Sequence, residues 1–131
     1  MTRTKILLVD DELDFLNVIT ARIESWGYEV MAASSGKQAI NMLARKNPDI
    51  IVLDYMMPEM DGITTLEEIR KINANVSVIM FTAYPDGRSY SGADKFGVSA
   101  FLPKLSSHFD LQASLKDALK SAERSLKKRW M

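Results

Sequence analysis

The stretch Asp49-Ile50-Ile51-Val52-Leu53-Asp54-Tyr55-Met56-Met57-Pro58 decides how the chain is read. Its unbroken Ile-Ile-Val-Leu run, with Pro48 before it and Pro58 after it, is too short for a helix in a core. It has the pattern of a strand buried on both faces, which is the centre of a parallel sheet. Asp54 then stands at the C-terminal edge of that strand. Ligands of open α/β sheets bind in the crevice beyond those edges, so an acid there is placed for chemistry. The competing reading is an Asp that only starts the turn towards Pro58.

Working outward, apolar runs of strand length alternate with longer stretches of helical spacing, the signature of βα repetition with helices on both faces of a parallel sheet. Lys5 to Val9 reads as the first strand and ends in Asp10 and Asp11. Phe15, Val18, Ile19, Ile23 and Trp26 predict a first helix over about Leu13–Trp26, stopped by Gly27. On that reading Leu16 lies off the buried stripe, beside Asp14 and Asn17, as an exposed anchor for a partner. Tyr28 to Ala32 is the second strand. Ser35-Gly36-Lys37-Gln38 has capping-box spacing and opens a helix carrying Ala39, Ile40 and Leu43, closed by Asn47-Pro48.

Asp61 caps a third helix with Ile63, Leu66 and Ile69 inward, and Ser77 to Phe81 follows as a strand ending in Thr82-Ala83. The fourth helical segment, Tyr84 to Phe96, is weak because Pro85, Gly87 and Gly92 interrupt it, each interior Gly costing about 1 kcal/mol relative to Ala. Its Gly87 to Phe96 part is expected to be the least stable helix. Ala100 to Pro103 is a brief fifth strand leading to Lys104. The last helix, about 107–129, has Ser107 as its cap, an apolar face of Leu111, Leu115, Ala118, Leu119, Ala122 and Leu126, and basic residues at its end.

Composition narrows the function. The 131 residues make one domain, and 17 basic and 17 acidic side chains cancel, leaving no footprint for nucleic acid or an anionic membrane. The absence of cysteine excludes disulfides, thiolate catalysis and Cys-ligated metal sites. With no signal-like or membrane-length apolar run, the expected location is cytoplasmic. In a parallel sheet the C-terminal ends of four strands share one edge, bringing together Asp10, Asp11, Asp54, Thr82 and Lys104. Three carboxylates there either hold a proton or share a hard cation, and Mg²⁺ with its preference for oxygen ligands is the economical choice. A lysine and a threonine opposite them would bind a phosphoryl group.

Val9-Asp10-Asp11-Glu12, Leu53-Asp54-Tyr55-Met56-Met57-Pro58-Glu59-Met60-Asp61-Gly62, Phe81-Thr82-Ala83 and Phe101-Leu102-Pro103-Lys104 together resemble the receiver domain of two-component response regulators. The resemblance covers residues 1–131 as a single domain. It implies a CheY-like, flavodoxin-like (βα)5 three-layer sandwich, with a doubly wound five-stranded parallel sheet in the order 2-1-3-4-5. It further implies that Asp54 is the phosphoacceptor, that Asp11 and Asp54 bind Mg²⁺ directly with the Met56 carbonyl, and that Asp10 acts through water. Thr82 would move onto the phosphoryl group, Phe101 would follow it inward, Lys104 would pair with the phosphate, and Met56 and Tyr84 would flank the approach of water. The phosphodonor would be a sensor histidine kinase or a phosphotransfer protein. The domain would not be an enzyme beyond its own Mg²⁺-dependent phosphorylation and dephosphorylation. A dimer formed on phosphorylation is among the assemblies it allows, and the output partner is left open.

The chain departs from the family pattern where Leu105, not proline, follows Lys104, so a trans Lys104–Leu105 bond is expected. Alternatives come from other classes. Taken singly, Asp10 reads as a helix cap, Phe101 as plain core, Thr82 as an ordinary strand end and Lys104 as a solvated lysine. A flavodoxin-like cofactor carrier would need a hydroxyl- and glycine-rich phosphate loop where Asp10-Asp11-Glu12 stands. A haloacid-type phosphohydrolase would need an acid at Met56. A degenerate receiver serving only as a protein-binding module is the remaining alternative. His108, the one histidine, is assigned no phosphoryl role, and Met56, Met57 and Met60 read as loop packing.

Overall fold

The computed structural model describes residues 3–82, 92, 94–104 and 108–129, the side chains of 108–110 and 129 excepted. Its strands are β1 (Lys5–Val9), β2 (Glu29–Ala33), β3 (Ile50–Asp54), β4 (Ser77–Thr82) and β5 (Ala100–Pro103). Between them run α1 (Leu13–Ser25), α2 (Gly36–Lys46) and α3 (Gly62–Ile72), and a C-terminal helix, His108–Arg129, follows β5. All strand pairs are parallel and the order is β2-β1-β3-β4-β5. The expected Ser107 cap, most of the fourth helical segment and the Lys104–Leu105 bond lie outside the described residues.

The continuous apolar runs are explained by what each face covers. Leu7, Val9, Ile51, Leu53, Val78 and Met80 point to the layer of α2 and α3, where they meet Ala39, Leu43, Leu66 and Ile69. Their sequence neighbours Ile6, Leu8, Ile50, Val52, Ile79 and Phe81 point the other way, onto Ile19 and Ile23 of α1 and Leu115 and Leu119 of the C-terminal helix. Alternation along each strand thus feeds two cores. Neither face is left polar.

Caps set the helix ends. Ser35 Oγ accepts from the Gln38 N–H at 3.1 Å, and the Gln38 side chain reaches back to the Ser34 N–H at 2.8 Å, a capping box displaced by one residue. Asp61 Oδ1 accepts from the Thr64 N–H at 2.8 Å. Asn47 closes α2 with a left-handed φ of 50°, and Gly27 takes φ 97° after α1. Asp10 is not a helix cap: Glu12 occupies the N-cap of α1, without a side-chain cap bond.

The first helix corrects the expected stripe. Leu16 is 6% exposed and packs in the α1-side core, whereas Val18, expected inside, is 58% exposed. Phe15, Val18, Ile19 and Leu16, Ile19, Ile23 are both helical series sharing Ile19, so periodicity alone admits either face. Packing on the sheet and the C-terminal helix keeps Phe15, Ile19, Ile23 and Trp26 inward as expected, but takes Leu16 in place of Val18. Leu16 is therefore no exposed docking anchor. Leu16→Ala is expected to lower stability by about 3 kcal/mol through cavity formation, measured by urea unfolding; a change below about 1 kcal/mol would contradict its burial.

Candidate functional site

The sheet register assembles the site. Val9 is level with Leu53 across β1 and β3, so the next residues, Asp10 and Asp54, leave the two central strands side by side. Across β4, Asp54 is level with Phe81, and Thr82 with Pro103 of β5, which delivers Lys104 one residue later. Asp10, Asp54 and Thr82 are all buried.

Lys104 connects these strand ends. Its backbone N–H donates to the Thr82 carbonyl at 2.6 Å. Its ammonium lies 2.9 Å from Asp10 Oδ2, 2.5 Å from Glu12 Oε1 and 3.6 Å from Asp54 Oδ2. With its side chain only 8% exposed, Lys104 is no solvated surface lysine. Burial opposes its charge, but the bonds to Glu12 and Asp10 and the field of Asp54 outweigh that and raise its pKa.

The carboxylates bear the complementary strain. Burial, then the neighbouring Asp10 charge, pushes the Asp54 carboxyl up to about 7, against the lowering effects of Lys104 and of the Met56 N–H, which donates to Asp54 Oδ1 at 3.2 Å. Burial likewise raises Asp10, although the Glu12 N–H, donating to Asp10 Oδ1 at 2.9 Å, and Lys104 work against the shift. One ammonium does not fully offset two buried acids.

Of the expected site residues, Asp10, Asp54, Thr82 and Lys104 converge at one edge, and Asp11 stands close enough for its charge to act on Asp54. Phe101 is half-buried against the α2/α3-side core, and Met56 is 48% exposed on the loop after β3. Tyr84 lies outside the described residues. Met57, by contrast, is core.

Two contributors escaped the reading of the sequence. Glu12 joins Asp10 and Asp54 in a group whose carboxylate oxygens lie within 4.8 Å of one another. Gly62 approaches the Asp54 backbone so closely that an added Cβ would stand 2.6 Å from the Asp54 carbonyl oxygen and 2.6 Å from Tyr55 Cα. Its N–H also donates to the Tyr55 carbonyl at 2.8 Å. Both residues sit inside quoted motifs, so position beside Asp11 and Asp61 was the available signal.

Comparison with known proteins agrees with this geometry. Residues 6–116 match the family model described as response regulator receiver domain. The transcriptional regulatory protein ZraR of Escherichia coli O157:H7 is 38% identical over 114 residues, 87% of this chain and 26% of that protein. The probable transcriptional regulator ycf27 of Guillardia theta is 35% identical over 129 residues, 95% of this chain and 48% of that protein. The chain thus spans about a quarter to a half of the length of these curated relatives. A CheY-like receiver domain protein from Methanospirillum hungatei JF-1 superposes with a TM-score of 0.84 at 25% identity, over 95% of this chain and 99% of that one. The response regulator TrrA of Thermotoga maritima, solved in complex with Mg²⁺-BeF, gives 0.80 at 30% identity over 91% of this chain and 98% of its own.

Proposed function

This chain belongs to the response regulator receiver domain family, and on that premise we propose that it is a phosphorylation-activated switch of a two-component phosphorelay, with Asp54 as phosphoacceptor. The observation that carries this is Asp54 itself: a buried carboxyl with a pKa near 7, ending the central strand 3.6 Å from a buried ammonium. The ionised oxygen of such a carboxyl is the nucleophile that phosphoryl transfer needs, and the ammonium opposite it supplies charge for the incoming group. In the transfer, an ionised Asp54 oxygen bonds to phosphorus as the bond from phosphorus to the donor's imidazole nitrogen breaks. The donor would be a histidine kinase or a phosphotransfer protein.

The chain's own groups divide the remaining work. Lys104 pairs with a phosphoryl oxygen, the Thr82 hydroxyl donates to another, and Phe101 repacks with Thr82 to carry the change to the surface. The acids fit Mg²⁺: their donors are hard oxygens, and burial together with the charge of Asp10 raises Asp54 in spite of Lys104, a cost that a bound cation would relieve. Asp11, Asp54 and the Met56 carbonyl would hold the ion directly and Asp10 through water, and the bound charge would keep the carboxylates ionised and offset the phosphoryl oxygens. The family and the absence of any described helix long and apolar enough to cross a membrane favour a cytoplasmic setting. Relatives named as transcriptional regulators suggest transcriptional output. A partner or effector domain would carry it, since 17 basic and 17 acidic residues leave this one uncharged overall.

Acetyl phosphate with Mg²⁺ should add one phosphoryl group to the wild type and none to Asp54→Ala, read by mass spectrometry. Equal modification of the variant would end the assignment. By the family resemblance Met56 and Tyr84 would flank the approach of water, and a thioether and a phenol would orient it less well than a carboxylate or amide. Met56→Asn and Tyr84→Glu should each speed dephosphorylation, by about tenfold if water positioning is restored. Rates equal to or below the wild type in both would show that water exclusion does not set the lifetime.

A further inference from the structure

The Lys104 ammonium has two kinds of neighbour, and only one kind is charged. Besides Asp10, Glu12 and Asp54 it has two aromatic rings near it, the Phe15 centroid 4.3 Å from Nζ and that of Phe81 5.9 Å away. The rings stand 5.5 Å apart and tilted by 58°, within the separation at which aromatic pairs attract. Phe81 is itself held fast. It is fully buried on β4, level with Asp54, and its carbonyl accepts from the Tyr55 N–H at 2.9 Å. Phe15 is thus braced from the same strand position that flanks Asp54.

We propose that Phe15 is a positioning residue for Lys104, its ring face keeping the ammonium within reach of a phosphoryl group on Asp54. This rests on the reading of Asp54 as phosphoacceptor. The carboxylate contacts of Lys104 depend on what Asp10 and Asp54 are doing, because forming an acyl phosphate on Asp54 or engaging Asp10 with a cation alters their charge. The ring quadrupole does not change with either event. Its separation from Nζ is inside the roughly 6 Å range of a cation–π attraction, and the 8% exposure of Lys104 limits quenching by water. Geometry adds a reason for placing this task on α1. Phe15 stands three residues after Glu12 (i, i+3), so both reach the lysine from the same helix face. The lysine backbone is meanwhile tied to Thr82, so its side chain must extend across the ring to meet the acids.

A merely structural Phe15, packed against the α1-side core, would care about volume and not about ring electronics. The test therefore replaces Phe15 with progressively fluorinated phenylalanines, which keep the shape while draining the quadrupole, and with leucine. Two measurements are made on the full chain. In the first, ¹³C-labelled lysine reports the Lys104 ε-methylene protons, which ring current should shift upfield in the wild type and which should return to ordinary lysine positions in Phe15→Leu. In the second, beryllofluoride with Mg²⁺ is titrated: affinity should fall stepwise along the fluorination series and by about two- to thirtyfold in Phe15→Leu. In a Lys104→Met background fluorination should have no effect. A flat series, or the same stepwise loss without Lys104, would overturn the proposal. If the wild type itself bound no beryllofluoride, the phosphoacceptor reading would fall, and unshifted lysine protons would separately remove the ring contact.

Discussion

Asp54→Asn is expected to be more stable than the wild type, by a margin that widens by about 3 kcal/mol between pH 4.5 and pH 8 when unfolding is followed in the presence of a chelator. The sign follows from the direction of the shift. In the unfolded chain the carboxyl titrates near 3.8, and in the folded protein burial and Asp10 raise it to about 7. Below the lower value both states are protonated and Asp54 carries no penalty. As pH rises towards 7 the unfolded state releases its proton while the folded state keeps it, so stability drains away. Above 7 the folded carboxyl ionises too and the loss levels off. Asparagine keeps the shape and removes the titration. Asp10, also raised by burial, leaves some slope in both proteins. Magnesium added at pH 8 should restore more stability to the wild type than to Asp54→Asn, since it needs the carboxylate. Urea unfolding curves that run parallel for the two proteins across this range would remove the buried-acid account of the site.

The second large effect is expected at Gly62, where no charge is involved. An alanine Cβ would stand 2.6 Å from both the Asp54 carbonyl oxygen and Tyr55 Cα, and both are backbone. A clash with a side chain could be relieved by a rotamer change, as at Gly92, where the atoms nearest an added Cβ belong to the Ile63 side chain. At Gly62 the start of α3 must instead withdraw from the end of β3, loosening the bond from its N–H to the Tyr55 carbonyl. Overpacking against backbone suggests a loss of about 3 kcal/mol. The displacement acts on the peptide of Asp54, the proposed phosphoacceptor. Phosphorylation by acetyl phosphate should slow about a hundredfold even where the variant is fully folded, which a near-ångström misplacement can produce. Gly62→Ala with wild-type stability and rate would show that the close approach is not needed.

Much of this molecule is legible without coordinates because a parallel sheet imposes strong local demands. A strand covered on both faces must be apolar at every position, so Ile50 to Leu53 announces the sheet centre, and the acid that follows can only be at its edge. Strand ends fall together by topology, which places Asp10, Asp54, Thr82 and Lys104 in one crevice before any distance is measured. Helix starts at Ser35 and Asp61 are equally local, since a cap is written into three or four consecutive residues. Tertiary structure decided the rest, wherever two local readings were equally good or the relevant neighbour was far along the chain. Leu16 and Val18 both fit a helical stripe through Ile19, and only the packing of α1 on the sheet and the C-terminal helix chose between them. The glycine at 62 is unremarkable until α3 comes down on the Asp54 backbone. Glu12 carries no assignment in the sequence and Phe15 reads as a core aromatic, yet folding brings Lys104, 92 residues beyond Glu12, to both of them. Sequence determines what each segment must bury, but which charge meets which ring is decided only when the segments are packed.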